Sequence, residues 1–337
     1  MVNHGYLSVK GKNYYFSSLS MNNKVDKKKL KKIVVRKEYK PRITVDEAKF
    51  KALKVAILHY DPITNELGTA LAHHQVQLRS YCKENHFIAL RNHYEDYPGV
   101  VVGELNLKVE NTLRAATKNA STLILHSYAA EADISIIKSI LALADDVEHV
   151  ILLHQGFELE QIESKSFAKL ESVVKKSNKS YTILRYLATY EQIYLRVAKY
   201  VKTASLFKFP FQEHKMGFIA EADIVDAVLR ILEAPEQHYN KTYTLTGEML
   251  TGEEVAQVMS KVLHTEIHFA NVEPEDVSTF LNEFGINKNI MAYWLAAWKH
   301  PELLAIRSRS LKKLSGKKTW RLECWLELNS HYFAMAD

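Results

Sequence analysis

The sequence predicts a doubly wound α/β fold, in which helices cover both faces of a mostly parallel sheet. Short apolar runs of strand length alternate with amphipathic helical segments along most of the chain, a pattern typical of βαβ units. The chain has 337 residues, which is enough for one large domain or two smaller ones. Only 11 residues are glycine, about half the usual share of roughly 7%, so few loops can require positive φ or a close backbone approach.

The predicted elements of the sheet follow one another in order. A first strand at residues 54–60 is followed by a loop at 61–66, a helix at 67–82 and a second short strand at 87–90. The later strands are predicted at 100–105, 122–126, 150–153 and 181–184, with helices at 109–117, 133–143 and 166–176 between them. Because parallel strands joined by helices cross over right-handedly, these segments predict a single doubly wound sheet.

Beyond residue 215 the pattern becomes that of a smaller α/β lobe. Apolar residues recur at helical spacing over 223–232, with Asp223 placed to cap the helix. A strand is predicted at 241–245. Thr251 and Glu254 then predict a capping box ahead of a helix at 255–263.

A last helix is predicted to start at Pro274 and to end at Gly285. The predicted domains are therefore a basic extended N-terminal arm at 1–51, a sheet domain at 52–215, and a lobe at 216–337 that is partly interwoven with the sheet domain.

The arm carries most of the positive charge. Residues 1–51 contain fourteen Lys or Arg against four Asp or Glu, whereas the rest of the chain is mildly acidic. Such a run of like charges stays extended until an anionic partner neutralises it. Three interpretations stay open: a solvated tail, a contact with nucleic acid or a ribonucleoprotein, and a targeting segment. The residues predicted to contact an anionic partner are Lys27, Lys28, Lys29, Lys31, Lys32, Arg36 and Lys37.

Cysteine content and hydropathy limit the cellular compartments in which the protein is expected. Cys82 and Cys324 are the only cysteines, and two distant cysteines cannot form a disulfide framework. No apolar run approaches the ~20 residues that a membrane span requires. The sequence thus predicts an intracellular protein of a reducing compartment without a membrane span. The cytoplasm is the first expectation, and a mitochondrion or the nucleus is the alternative.

Four segments carry a resemblance to a known family. They are Tyr181–Arg185, Gly217–Ala227, Lys241–Gly247 with Thr251–Ala256, and Leu314–Trp320 with Trp325. In this order they resemble the NmrA-like family, an atypical branch of the short-chain dehydrogenase/reductase superfamily, over about residues 52–333. The resemblance implies a Rossmann domain that binds NADP(H), a small C-terminal lobe, and often a redox-sensing regulator instead of an enzyme.

The phosphate loop that this resemblance implies has changed. Aligned on the family pattern TGatGxxGxxl, the chain keeps only the third glycine, Gly68, and has Pro62 and Asn65 at the other two positions. Proline lacks an N–H and fixes φ, and asparagine places a side chain where backbone should approach the pyrophosphate. Asp61 and Glu66 add negative charge. We therefore expect a degenerate loop that still lets the helix pack against the sheet but no longer binds the phosphates tightly.

Arg91 is the residue that favours the alternative hypothesis, in which the chain still binds NADP(H). It follows the predicted second strand, where the family places an arginine against the 2′-phosphate of NADP, and a surface arginine at a strand end is the other interpretation. The first expectation is no cofactor. If NADP(H) binding is retained, Asn65, Gly68 and Arg91 are its candidate contacts.

The sequence predicts neither catalytic nor metal-binding residues. The stretch from Gln155 to Lys176 contains no tyrosine, so the reductase Tyr-xxx-Lys pair is missing after the fifth strand. No histidine pair has the spacing of HExxH or of a facial triad. His126 and His154 end two predicted strands, where they either line a polar pocket or pack as satisfied strand-end residues.

The first functional hypothesis is a non-catalytic scaffold or regulatory subunit, a pseudoenzyme that joins a ribonucleoprotein or other large assembly through its arm. The alternative is an NADP(H)-binding redox sensor or weak NADPH-dependent reductase. The sequence leaves the oligomeric state open.

Overall fold

The structure is a computed structural model that describes residues 3–9, 12–18, 43–59, 61–106, 108–127, 134–156, 165–210, 213–273, 275–283, 295 and 305–333. Strands β1 (Asn3–Val9) and β2 (Lys12–Ser18) pair antiparallel as a hairpin within the predicted arm. The seven basic residues predicted to contact an anionic partner lie outside the described residues, so their role stays a prediction.

Seven parallel strands form the central sheet. They are β3 (Lys54–Leu58), β4 (Gln77–Cys82), β5 (Val101–Glu104), β6 (Thr122–His126), β7 (His149–Gln155), β8 (Ser180–Tyr186) and β11 (Lys241–Thr244). Their order across the sheet is β11-β8-β7-β6-β3-β4-β5, and each neighbouring pair is parallel. The predicted doubly wound Rossmann-type fold is therefore confirmed. The strand order reverses between β3 and β6, which makes their carboxyl ends the topological switch point.

Helices cover both faces of this sheet because its strands are buried on both sides. Along β3, Val55 and Ile57 enter one core and Ala56 and Leu58 enter the other, as the two-residue period of a strand requires. The covering helices are α1 (Glu47–Ala52), α2 (Pro62–His73), α3 (Glu84–His93), α4 (Glu110–Thr117), α5 (Ile134–Leu143), α6 (Lys165–Lys175) and α8 (Glu221–Glu233), whereas α7 (Tyr190–Ala204) packs in the core of the smaller lobe.

The prediction for residues 67–90 is wrong in two places. The single helix expected at 67–82 ends at His73, and residues 77–82 form β4. Gln75 between them has φ 58°, which interrupts the helix. The strand expected at 87–90 lies inside α3. A four-residue apolar run cannot by itself distinguish a strand from a helix.

The end of the predicted arm belongs to the core of the sheet domain. Asp46 caps α1 through its side chain, which accepts from the N–H groups of Ala48 and Lys49. Ile43 and Phe50 are buried in the core on the α2 side of the sheet.

A smaller lobe is built from short strands and helices. Strands β9 (Leu206–Lys208) and β13 (His268–Ala270) pair parallel, and β10 (Met216–Gly217) and β12 (Met249–Leu250) pair antiparallel. The helices are α9 (Gly252–Leu263), α10 (Val277–Glu283) and two further ones at Ser310–Ser315 and Leu322–Asn329. The predicted Thr251–Glu254 capping box is confirmed at the start of α9. Pro274 and Gly285, the predicted limits of the helix that became α10, lie outside the described residues.

Helix α8 joins the lobe to the sheet domain. Eleven of its thirteen residues are buried. Ala222 lies in the core of the lobe, whereas Ile224 and Val228 lie in a core of the sheet. The prediction that Asp223 caps this helix is wrong, because the helix starts two residues earlier with Ala220 as its N-cap. Among the described residues, no helix has the length and apolarity needed to cross a membrane.

Candidate functional site

Three polar side chains meet at the switch point of the sheet. His59 follows β3, Asp61 is the N-cap of α2, and His126 ends β6. They are close because β3 and β6 are parallel neighbours whose carboxyl ends share one edge. The Asp61 Oδ2 atom lies 2.7 Å from His126 Nδ1 and 3.3 Å from His59 Nε2. This edge is where ligands bind in open α/β sheets.

Asp61 also occupies the amino end of α2. Its Oδ1 accepts from the Thr64 N–H at 2.8 Å, and Thr64 Oγ1 accepts from the Asp61 N–H at 3.0 Å. Pro62 follows at the first helical position, where its missing N–H costs little. The amide that an anionic phosphate would contact is therefore already engaged by a carboxylate of the chain itself.

The protonation states of this cluster follow from burial and from the neighbouring charges. Burial acts to raise the pKa of Asp61, but His126 and His59 outweigh it and hold the pKa of this carboxyl well below its usual range. Burial lowers the pKa of His59 to about 4, although Asp61 acts in the opposite direction. At neutral pH the cluster thus contains an ionised carboxylate and a neutral His59 imidazole.

A buried tyrosine forms a hydrogen bond with one member of the cluster. The Tyr186 hydroxyl, at the end of β8, lies 2.6 Å from His126 Nε2, and both residues are at most 1% exposed. Since the ionised Asp61 favours a proton on Nδ1, the Nε2 atom accepts from this hydroxyl. The Asp61–His126 ion pair and the His126–Tyr186 hydrogen bond consequently connect the three side chains.

A second buried cluster connects β7, α6 and β8. Glu171 lies 2.8 Å from His154 through Oε1 and 2.6 Å from Arg185 through Oε2. Burial acts to raise the pKa of Glu171, but the adjacent His154 and the hydrogen-bonded Arg185 hold it well below the usual range. The two strand-end histidines noted in the sequence therefore differ: His126 belongs to the switch point and His154 to this ion network.

The three predicted cofactor contacts lie on α2 and on the last turn of α3, where His93 Nε2 is 3.3 Å from the Asn65 carbonyl oxygen. Asn65 and Gly68 are buried within α2. Arg91 is exposed in the last turn of α3, so its predicted place after a strand is wrong. The residue that follows β4 is Lys83, which is the N-cap of α3 and is also exposed.

Sequence reasoning missed His59, Lys83 and Tyr186, and it considered Asp61 only as a repulsive charge. For Lys83 the signal in the sequence is weak, because Leu78 and Cys82 fit a two-residue spacing but Ser80 between them is polar.

The chain is similar to known proteins of one family. The model of the NmrA-like family matches residues 98–314. Agroclavine dehydrogenase from Claviceps fusiformis is 36% identical over 76 residues, which cover 22% of this chain and 26% of that protein. The matched region is thus about a quarter of this curated relative's length.

Solved structures share the fold over most of the chain. A nucleoside-diphosphate-sugar epimerase from Staphylococcus aureus has a TM-score of 0.66 at 19% identity, over 82% of this chain and 100% of that one. The triphenylmethane reductase of Citrobacter sp., complexed with NADP(H), has a TM-score of 0.66 at 20% identity, over 83% and 100%. NmrA, a negative transcriptional regulator in complex with NAD, has a TM-score of 0.58 at 12% identity, over 85% and 92%.

Proposed function

Since this chain belongs to the NmrA-like family, we propose that it binds NADP(H) at the switch point and acts as a redox sensor or weak NADPH-dependent reductase. The family resemblance found in the sequence is confirmed. The proposal rests most on Lys83, which lies at the carboxyl end of β4, the strand next to β3. Structural neighbours that hold NADP(H) or NAD support it.

The adenosine end of the cofactor fits the chain. No side chain caps the amino end of α3, so its first N–H groups and the Lys83 ammonium both favour a phosphate there. We therefore assign the 2′-phosphate contact to Lys83 in place of Arg91, which lies at the opposite end of α3. Asn65 and Gly68 stay candidates for the segment nearest the pyrophosphate.

The pyrophosphate of the cofactor fits the amino end of α2 less well. The Asp61 carboxylate engages the Thr64 amide, so the phosphates must lie farther from α2 than in a glycine-rich loop. We expect the affinity for the dinucleotide to be correspondingly weak. Bound NADPH supplies a hydride, and the residues of the chain bind and orient the cofactor. Because the Tyr-xxx-Lys pair is missing after the fifth sheet strand, any reduction is expected to be slow.

Calorimetric titration of the full chain with NADPH and NADH tests this function. We expect saturable NADPH binding at micromolar to submillimolar concentration and weaker NADH binding. Lys83→Gln should weaken NADPH binding at least fivefold and leave NADH binding unchanged, because only NADPH carries the 2′-phosphate. Arg91→Gln in the same helix is the matched control and should change neither. Absence of NADPH binding at millimolar concentration would contradict the proposal.

A non-catalytic scaffold is the second candidate, and the occupied amino end of α2 favours it. Asp61→Ser distinguishes the two, because serine still caps the helix but carries no charge. If Asp61 only weakens a functional cofactor site, this variant should bind NADPH more tightly than the natural chain. A scaffold that has given up the cofactor should show no binding in either form.

The arm is tested separately. A nucleic-acid contact gains affinity by releasing counterions and loses it steeply with salt. RNA binding should therefore fall as salt increases, and removal of residues 1–42, which leaves Ile43 and Phe50 of the core in place, should abolish it. Equal binding by the full and truncated chains would refute a nucleic-acid role for the arm.

A further inference from the structure

We propose that His59, Asp61 and His126 form a binding site for a divalent transition-metal ion such as Zn²⁺. One ligand atom from each residue lies within 4.8 Å of the other two. Two imidazoles and a carboxylate are a donor set that zinc and its first-row neighbours bind in proteins. The sequence predicted no metal site because His59 and His126 are far apart in the chain and meet only through strand order.

The distances between ligand atoms suit a tetrahedral ion. Zinc bonds of about 2.0–2.2 Å place ligand atoms roughly 3.4 Å apart. Asp61 Oδ2 and His59 Nε2 are already 3.3 Å apart, and Asp61 Oδ2 and His126 Nδ1 are 2.7 Å apart. Of these two pairs only the second must open, by about 0.7 Å, and the ligand nitrogens of His59 and His126 lie within 4.8 Å of each other. The ion then displaces the proton that His126 carries on Nδ1.

Two of the three ligands already have hydrogen-bonding partners that can fix their orientation toward a metal ion. A metal-bound histidine usually directs its other ring N–H to an acceptor, which fixes the orientation of the ring. Tyr186 Oη lies 2.6 Å from His126 Nε2 and can accept that bond. Asp61 is held through Oδ1 by the Thr64 N–H at 2.8 Å, so Oδ2 is the oxygen left toward the ion. This support distinguishes the cluster from a chance meeting of polar side chains.

The site is open on one side. His126 is buried, whereas the side chains of Asp61 and His59 are 15% and 23% exposed. Three protein ligands leave a fourth position for water or an oxygen atom of a small molecule, as in catalytic zinc sites. Lys83 and His86 act electrostatically on His59 and oppose a cation, so we expect micromolar affinity and not the tighter binding of a structural zinc.

A metal titration without NADP(H) tests the site independently of the proposed cofactor. The full chain, stripped with a chelator, is titrated with Co²⁺ by visible absorption and with Zn²⁺ by calorimetry. We expect one ion per chain in the micromolar range and a Co²⁺ spectrum of low coordination number. Asp61→Asn keeps a cap for α2 but should weaken binding at least tenfold, as should His126→Gln.

His268→Gln is the matched control, because His268 is 64% exposed, lies outside the cluster and also has an acidic neighbour. It should leave the high-affinity site unchanged. His59→Gln is the cluster variant that should disturb the fold least, since His59 is the most exposed of the three ligands. It too should weaken metal binding. Circular dichroism checks the fold of each variant. Binding that is equal in the natural chain and in all three cluster variants, or no micromolar site at all, would overturn the proposal.

Discussion

At Gly68, helix α2 passes so close to its neighbours that a methyl group does not fit. A Cβ atom there would lie 1.8 Å from Tyr94 Oη and 3.0 Å from Tyr94 Cζ. It would also contact Ile57 Cδ1 of β3 at 3.6 Å. The third glycine of the family pattern therefore serves packing against a tyrosine at the end of α3, and this requirement holds whether or not a cofactor binds.

Gly68→Ala should destabilise the fold by about 1–3 kcal/mol, the usual cost of overpacking a core. Urea unfolding gives the free energy. Gly99→Ala is the control, because nothing lies within 4 Å of a Cβ at Gly99. In a Tyr94→Phe background the cost of Gly68→Ala should shrink, since the hydroxyl is gone. An equal cost in both backgrounds would show that the tyrosine is not the obstacle.

His149 links stability to pH. It is 1% exposed and lies 2.8 Å from Thr182 Oγ1, and burial, with His238 as a lesser cause, lowers its pKa to about 4. The unfolded chain therefore binds more protons between pH 6.5 and 4, so the contribution of His149 to stability is complete above pH 6.5 and falls as pH falls through this range.

His149→Gln should flatten the fall in the free energy of unfolding between pH 6.5 and 4. At about 1.4 kcal/mol per pKa unit, the difference between variant and natural chain should change by up to about 3 kcal/mol across the range. His268→Gln, at an exposed position, should leave the pH profile as it is. Parallel profiles for the natural chain and His149→Gln would contradict the assignment.

At the scale of elements, the sequence predicted the start of a helix correctly where a capping side chain forms a hydrogen bond with a nearby backbone N–H of the same helix. Thr251 and Glu254 bond reciprocally at the amino end of α9, as predicted. The same reasoning failed for α8, where Asp223 does not cap the helix but accepts from the Trp320 N–H at 2.8 Å. That partner is 97 residues away, so no local pattern could reveal it.

Removal of the α9 cap should cost about 1 kcal/mol, the usual value for a Thr→Ala change at an N-cap. Thr251→Ala tests this by urea unfolding, and Thr251→Ser, which keeps the hydroxyl, should lose much less. Glu254 also holds Lys215 at 2.6 Å, so the serine variant leaves that ion pair in place. Equal losses in the two variants would indicate a packing effect of the methyl group.

At the scale of the whole molecule, the sequence was sufficient for the fold class but not for the site. Alternating strands and helices predicted the doubly wound sheet. The cluster of His59, Asp61 and His126 required the order of the strands, because only the β3–β6 pairing brings these residues together. The misplacement of Arg91 followed from the misread strand before it.

Contacts across α8 couple the lobe to the sheet domain. Besides the Asp223–Trp320 bond, Trp325 Nε1 donates to Glu191 at 2.7 Å, and Glu191 in turn accepts from the Glu221 N–H at 3.1 Å. Two of these bonds thus hold the C-terminal segment on the amino ends of α7 and α8.

Asp223→Ala should leave the Trp320 amide without its carboxylate partner and loosen this segment. Hydrogen exchange measured by mass spectrometry should increase over residues 317–333 and stay unchanged in β3 and β6. Lys317→Ala, a change at an exposed position in the same segment, is the control. Faster exchange throughout the molecule would instead indicate global destabilisation.

The return of the chain to β11 limits how the protein can be divided or recombined. Between β8 and β11 the chain passes through α7, β9, β10 and α8, and only then adds the edge strand of the sheet. A fragment that stops at residue 215 therefore loses both α8 and a strand of the sheet. A chimaera that exchanges the lobe with a relative must exchange two separate stretches, 187–220 and 245–333, as a pair, while α8 and β11 between them stay with the sheet against which they pack.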